Sequence, residues 1–395
     1  MPDVVVIGGG IIGAASAFEL ARRGASVTLL EKDELAAGAS GRNLGYLDTS
    51  KDPVLGPLAR RSLERYLEIA ADPPVPVFLD RDPIGTLAVT IDEDEVDELR
   101  AWAAAAEAVG VRAERVDDPR RELEPELSPD VLEAYLLDEG HRVDPLALTV
   151  CFGALARAEG ATVRHHLPAR RLIERVGRIA GVATDDGVIE ADCVVLAAGP
   201  WSPAIARPLG IRVPVAAARG WLVHAAPDRP LFRHWIQSGA RRLLAGNESA
   251  VATELEPLEV SVRAFAEGSE TRDVSPMIQP APDGSVLTGT SREPTFIADT
   301  SDLEVARAVA MQASRIVPAL ADAPVVSAWS GVRPVSPDEH PLIGWIAEGL
   351  LVATGHGSEG VILGAASAEL VSALVLGEEP PFDPAPFDPQ RFEEG

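Results

Sequence analysis

Residues 4–31, VVVIGGGIIGAASAFELARRGASVTLLE, constrain the fold more tightly than any other stretch of this chain. Val4 to Ile7 read as a buried strand, and Gly8, Gly10 and Gly13 follow at G-x-G-x-x-G spacing. A helix-periodic run from Ile12 to Arg23 comes next. Gly24 ends it, and Ser26 to Leu30 make a second strand that closes on Glu31. Each glycine has its own task in such a unit. Gly8 permits the sharp turn, Gly10 lets a pyrophosphate approach the backbone, and Gly13 allows close helix–strand packing. The helix N-terminus presents N–H groups to phosphates. Glu31 is placed to accept hydrogen bonds from a ribose 2′-hydroxyl, and its charge repels a 2′-phosphate. The unit predicts a bound adenine dinucleotide without saying which one.

Composition narrows the partners. The 395 residues suffice for a large core and two domains. A net charge of −26 argues against nucleic acid or an anionic membrane surface. No apolar run reaches eighteen residues, so no membrane span is expected. The chain enters a strand at once, without a basic leader, which predicts a cytoplasmic protein. Cys151 falls in a predicted helix and Cys193 in a predicted buried strand, so two buried thiols are expected instead of a disulfide. Lys32 and Lys51 are the only lysines.

No internal repeat is present. A Gly/Ala/Ser-rich loop spans 36–47, and 55–72 read as a helix. Ile84 to Ile91 read as a strand, Glu93 to Val109 as a helix, and Asp144-Pro145 as the start of a helix ending near Gly160. Short apolar strands return over 161–200, the last stopping at Gly199-Pro200. Strand-like runs at Trp221 to His224 and Ser285 to Thr288 precede a helix from Leu303 to Ile316. A strand at Gly349 to Ala353 and an apolar helix after GHGSEG close the pattern.

Four further segments, in order, carry a resemblance: GASGRNLG at 38–45, EADCVVLAAGPWS at 190–202, WSGVRP at 329–334 with PDEHPLIG at 337–344, and ATGHGSEGVILGAA at 353–366. Together with the opening unit they make the chain similar to the D-amino-acid oxidase superfamily, in its glycine oxidase and sarcosine oxidase branch, from Val4 to Phe392. The resemblance implies an α/β (α+β overall) fold. A Rossmann-like FAD-binding domain of discontinuous segments, 1–75, 145–210 and 326–395, would be joined to a mainly antiparallel β substrate-binding domain with helices, 76–144 and 211–325.

The resemblance further implies noncovalent FAD, since Gly331 stands where the sarcosine oxidase branch attaches its flavin through cysteine. Cofactor-binding positions carried over are Gly8, Gly10, Ile11, Ile12 and Gly13, then Glu31 and Lys32 on the ribose side. Ala39, Ser40, Asn43, Leu44, Gly45 and Tyr46 line the diphosphate and flavin, Ala169 lies by the adenine, and Gly199 and Trp201 follow. Gly355, His356, Gly357, Ser358, Glu359, Gly360, Val361 and Ile362 lie under the pyrimidine ring. A Gly-His-Gly turn opening a helix aims N–H groups and the positive helix end at that ring, which favours its acceptance of hydride. His356 is also a candidate catalytic residue, with packing or capping as the alternative.

Arg333 matches the arginine that grips the substrate carboxylate in such enzymes, a task suited to a planar guanidinium fork; an internal salt bridge is the competing role. Departures matter too. No tyrosine lies between 205 and 330, which leaves Trp221, His224, His234, Trp235 and Phe265 as replacements for the family's carboxylate-binding tyrosines. Neither lysine matches the oxygen-promoting lysine of the sarcosine oxidase branch. His340 is an exposed-loop residue or an edge of the active site.

These features point to FAD-dependent oxidation of the C–N bond of a small amino acid or amine carboxylate, with oxygen or another redox acceptor taking the electrons. The alternatives are the flavin subunit of a heteromeric dye-linked dehydrogenase, and a non-catalytic flavin-binding assembly protein. Homo-oligomers and hetero-oligomers are both open.

Overall fold

The computed structural model describes residues 1–238, 242–243, 273–294 and 303–392. β1 (Asp3–Ile7), α1 (Ile11–Arg22) and β2 (Ser26–Leu30) form the opening unit, with β1 and β2 parallel and Val4 opposite Val27. Gly8 has a φ of 110°, and a Cβ there would stand 2.4 Å from the Ala197 carbonyl oxygen. A Cβ on Gly13 would stand 1.9 Å from the carbonyl oxygen of Gly8. Only glycines let the helix start this close to the strand ends.

β1 sits inside a six-stranded sheet in the spatial order Leu342–Ala347, Leu350–Thr354, Cys193–Leu196, β1, β2, Thr162–Arg164. Every pairing is parallel except that of the first two strands. Alternation along β1 explains its unbroken apolar run, because both faces are buried. Val4 and Val6 meet α1, Pro145–Ala158 and the C-terminal helix Gly360–Leu376, whereas Val5 and Ile7 meet Leu172, Ile179 and Val182 of a three-stranded antiparallel sheet. Cys151 and Cys193 are both buried free thiols, as expected.

Among the described residues the second large sheet has nine strands and is antiparallel apart from the pairing of Trp235–Ser238 with Thr86–Thr90. One of its faces packs on the helix Leu303–Ile316 through Trp221, Val223 and Val274. The opposite face carries Leu222, Trp235, Met277 and Trp329. WSGVRP is the end of a long strand, Val325–Val335, that belongs to this sheet. The sequence reading had grouped residues from 326 onward with the nucleotide-binding segments. It also read Glu93 to Val109 as one helix, whereas a 3₁₀ turn at Glu93–Glu95 leads into Val96–Ala108. Phe265 lies outside the described residues.

The C-terminal helix is apolar nearly all round, so polar groups of the helix Gly56–Ala71 fix its position. The buried Tyr66 hydroxyl donates to the Val361 carbonyl at 2.7 Å and accepts from the Ala365 amide at 3.2 Å; Ser62 Oγ accepts from the Ala366 amide at 3.0 Å. Val361 and Ala365 stand four apart in that helix, so its own ladder still pairs them when the phenol oxygen is removed. Tyr66→Phe therefore deletes two added buried hydrogen bonds and is expected to lower unfolding free energy by about 0.5–1.5 kcal/mol in chemical denaturation.

Candidate active site

The starts of α1 and of the helix Gly360–Leu376 carry no side-chain cap of their own, and the loop 38–45 runs from the first of them to the nine-stranded sheet. The start of α1 has no side-chain cap of its own and no acidic residue in its first turn. Ser40 Oγ, from the loop, accepts the Ile11 amide at 2.9 Å and ties that loop to the glycine turn. Glu31 is fixed at the same turn, accepting the Gly9 amide at 2.6 Å and the Asp33 amide at 2.8 Å. Lys32 pairs with Asp33 and lies 4.7 Å from the ring centroid of Trp201. Ala169 packs with the small-sheet core.

The loop 38–45 is held by its own side chains. Asn43 donates to the carbonyls of Ala39 and Ser40 and accepts the Gly45 amide at 2.8 Å, which uses both ends of its amide within the loop. Gly45 has a φ of 70°, and a Cβ there would stand 2.0 Å from the Val143 carbonyl oxygen. Leu44 and Tyr46 are thereby delivered to the sheet face, with Tyr46 edge-on to Trp235 at 4.7 Å between centroids. The Tyr46 hydroxyl meets Thr86 Oγ1 at 2.9 Å, and Thr86 in turn donates to the Glu139 carbonyl. Burial raises the Tyr46 pKa well above its ordinary value.

The turn before the C-terminal helix is bolted to the arginine strand. The Gly357 amide donates to the Pro334 carbonyl at 2.7 Å, and Val335 and His356 form an antiparallel bridge. Thr354 Oγ1 donates to the Gly199 carbonyl at 3.1 Å, which adds the end of the Cys193–Leu196 strand to the junction. Space remains around these backbones. A Cβ on Gly357 would touch nothing within 4 Å, one on Gly199 would meet only Pro334 at 4.0 Å, and one on Gly38 only Trp201 at 3.7 Å. Open glycine faces, two helix starts and a ribose-side carboxylate fit a long dinucleotide cofactor.

Arg333 is half-buried on the face that also carries Leu222. Its Nη1 donates to the Ser291 carbonyl at 3.0 Å. The guanidinium leans over Gly220, where a Cβ would lie 2.2 Å from Nη1. Gly331, two residues back, admits the loop 38–45: a Cβ there would come within 3.2 Å of Arg42 Cβ. Gly220 and Gly331 face one another in register. Sequence reading missed Gly220, Leu222, Met277 and Trp329. The alternation Trp329, Gly331, Arg333 was the available signal, since strand residues two apart share a face.

The other candidates separate cleanly. Trp221 faces the helix Leu303–Ile316, on the far side of the sheet. His234 is bound to the buried Glu124, with Nδ1 at 2.5 Å. His340 pairs with Asp52 at 2.9 Å. Lys51 pairs with Asp48 and Glu139 and lies over Trp102. Burial opposes its charge, but the two carboxylates raise its pKa overall. Burial, reinforced by Asp48, pushes Glu359 up to about 7.

His356 is buried with Nε2 3.1 Å from Ser367 Oγ, and its Nδ1 has no hydrogen-bond partner among the described residues. Burial pushes its pKa down to about 3. The ring is therefore neutral at physiological pH.

Comparison with known proteins agrees with this geometry. The family model described as "DAO: FAD dependent oxidoreductase" matches residues 3–374, and the chain belongs to that family. Its cofactor is FAD. Glycine oxidase of Pseudomonas putida is 28% identical over 399 residues, covering 98% of both chains. The 4-methylaminobutanoate oxidase (formaldehyde-forming) of Paenarthrobacter nicotinovorans is 28% identical over 98% of this chain and 45% of its own. The crystal structure of glycine oxidase from Geobacillus kaustophilus shares the fold, with a TM-score of 0.83 at 24% identity over 100% of this chain and 99% of that one.

The depressed His356 pKa has a stability consequence. Between pH 6.5 and about 3 the unfolded chain binds a proton at this residue that the folded chain does not. The contribution is complete above pH 6.5 and is lost as pH falls toward 3, by up to about 1.4 kcal/mol per pH unit. In denaturant titrations, His356→Gln should show a shallower acid-side loss of stability than the wild type.

Proposed function

We propose that this chain oxidises the C–N bond of a small amino acid or amine carboxylate, with Arg333 gripping the carboxylate. The observation that carries the reading is the junction of three parts: Arg333 on its strand, the Gly357 turn hydrogen-bonded to that strand at Pro334, and Leu44 of the flavin loop packed on the same sheet face. Relatives named glycine oxidase and 4-methylaminobutanoate oxidase support the substrate type. FAD, when bound, supplies the hydride acceptor and passes the electrons on to oxygen or another acceptor.

In this reading the six-stranded sheet and its helices hold the cofactor. Glu31 would accept hydrogen bonds from the adenine-side ribose, the amides at the start of α1 would hold the pyrophosphate, and the loop 39–46 would line the flavin. With the Gly357 amide committed to Pro334 and the Glu359 amide to His356, the amides of Ser358, Gly360, Val361 and Ile362 would be the ones available to stabilise negative charge at the pyrimidine edge. The nine-stranded sheet holds the substrate. Arg333 fixes the carboxylate, which sets the α-carbon against the flavin, and positioning supplies most of the acceleration. His356, neutral and packed on its own helix, shapes the turn. The neutral amine would lose its α-C–H hydrogen as hydride and an N–H proton to solvent, and water would hydrolyse the imine to a 2-oxo acid and ammonia or a primary amine.

Arg333→Ala is expected to raise the KM for carboxylate substrates by about 100-fold or more while FAD stays bound. Steady-state kinetics with absorbance of the retained flavin checks both halves; an unchanged KM would remove the assignment.

A further inference from the structure

Glu359 is the residue from which the helix Gly360–Leu376 starts, yet its side chain makes no cap there. Its carbonyl accepts the Leu363 amide at 2.9 Å, so it shares the first turn with Gly360, Val361 and Ile362. The carboxyl packs against the loop 48–52: Ser50 stands beside it, and Asp48, Asp52 and Lys51 are its charged neighbours. Its Oε2 is buried without a hydrogen-bond partner among the described residues. Lys51, the cation in this group, is already committed to Asp48 at 3.1 Å and to Glu139. His340 is paired with Asp52 at 2.9 Å, and His356, three residues back on the same turn, is neutral. Burial first, and Asp48 next, hold the Glu359 carboxyl near the point where it is half protonated at neutral pH.

Resting on the placement of the flavin pyrimidine at this helix start, we infer that Glu359 takes up a proton from solvent when the flavin is reduced. Hydride carries two electrons and one proton to the flavin and leaves it anionic. Protonation of the Glu359 carboxylate adds a second proton and removes one of two adjacent negative charges. A carboxyl on the first turn lies within about 10 Å of a charge met by that turn's amides. At an effective dielectric of about 20, unit charges so spaced change a proton affinity by roughly tenfold. The coupling is reciprocal: reduction tightens the proton on Glu359, and the ionised carboxylate weakens the flavin's hold on electrons by the same factor. Burial raises the Glu139 carboxyl as well, but Lys51 pairs with it directly, which leaves Glu359 as the group that answers the flavin.

The test is anaerobic potentiometric titration of the FAD-loaded enzyme, without amine substrate, from about pH 6 to about pH 9. One proton per two electrons lowers the midpoint potential by about 30 mV per pH unit. The wild type should exceed that slope between about pH 7 and 8, and Glu359→Gln should keep it throughout. At about pH 9 the variant should stand about 30 mV above the wild type, the two-electron equivalent of tenfold, and the two should converge by about pH 6. Glu139→Gln should retain the steep region. Asp48→Asn, which leaves Glu359 in place, should move it to lower pH. Infrared difference spectra should show a protonated carboxyl gained on reduction in the wild type and absent from Glu359→Gln. Parallel potential lines for wild type and Glu359→Gln would overturn the inference, as would a steep region lost in Glu139→Gln and kept in Glu359→Gln, or one unmoved by Asp48→Asn. Since no substrate is present, these potentials judge Glu359 alone, and the kinetics of Arg333→Ala judge amine oxidation separately.

Discussion

The short antiparallel bridge between Val335 and His356, with the Gly357 amide on the Pro334 carbonyl, joins the arginine strand of the nine-stranded sheet to the turn that opens the C-terminal helix. One partner strand ends the nine-stranded sheet's arginine segment. The other backbone opens the C-terminal helix on the six-stranded sheet. A slip of one residue here would turn Arg333 to the opposite face, because side chains alternate. Tyr66 and Ser62 hold the far side of the same helix, so the turn is fixed from both directions.

Local chemistry was legible where it was contiguous in the chain. β1, α1 and β2 follow from apolar runs and glycines within thirty residues, and the Asp144 cap accepts the Ala147 amide at 2.9 Å just where Asp-Pro announced a helix. Strand partners were not legible. The segment Ala216–Ala225 is apolar on both faces, so its sequence alone could not tell whether Trp221 or Leu222 looks toward Arg333. Pairing with Val325–Val335 decides it.

The candidate site shows the same division. Arg333, Glu31 and the glycines carry a motif, and each stands on the strand or turn where the sequence pattern puts it. Asn43 instead spends its side chain shaping its own loop. His356 turns to Ser367, eleven residues further on, which only a folded helix brings within reach. Gly220 had no motif at all: its importance arises from the side chain of a residue 113 positions away that occupies the space its missing Cβ leaves.

That shared space links two positions in the history of the sequence. Alanine at 220 would push against the guanidinium, the mobile end of its side chain, so a substitution there displaces the arginine's terminus before it disturbs the sheet. Placing the arginine elsewhere on the sheet would release 220 to accept any residue suited to a strand. The identity of residue 220 should thus report, across related chains, whether the arginine has moved.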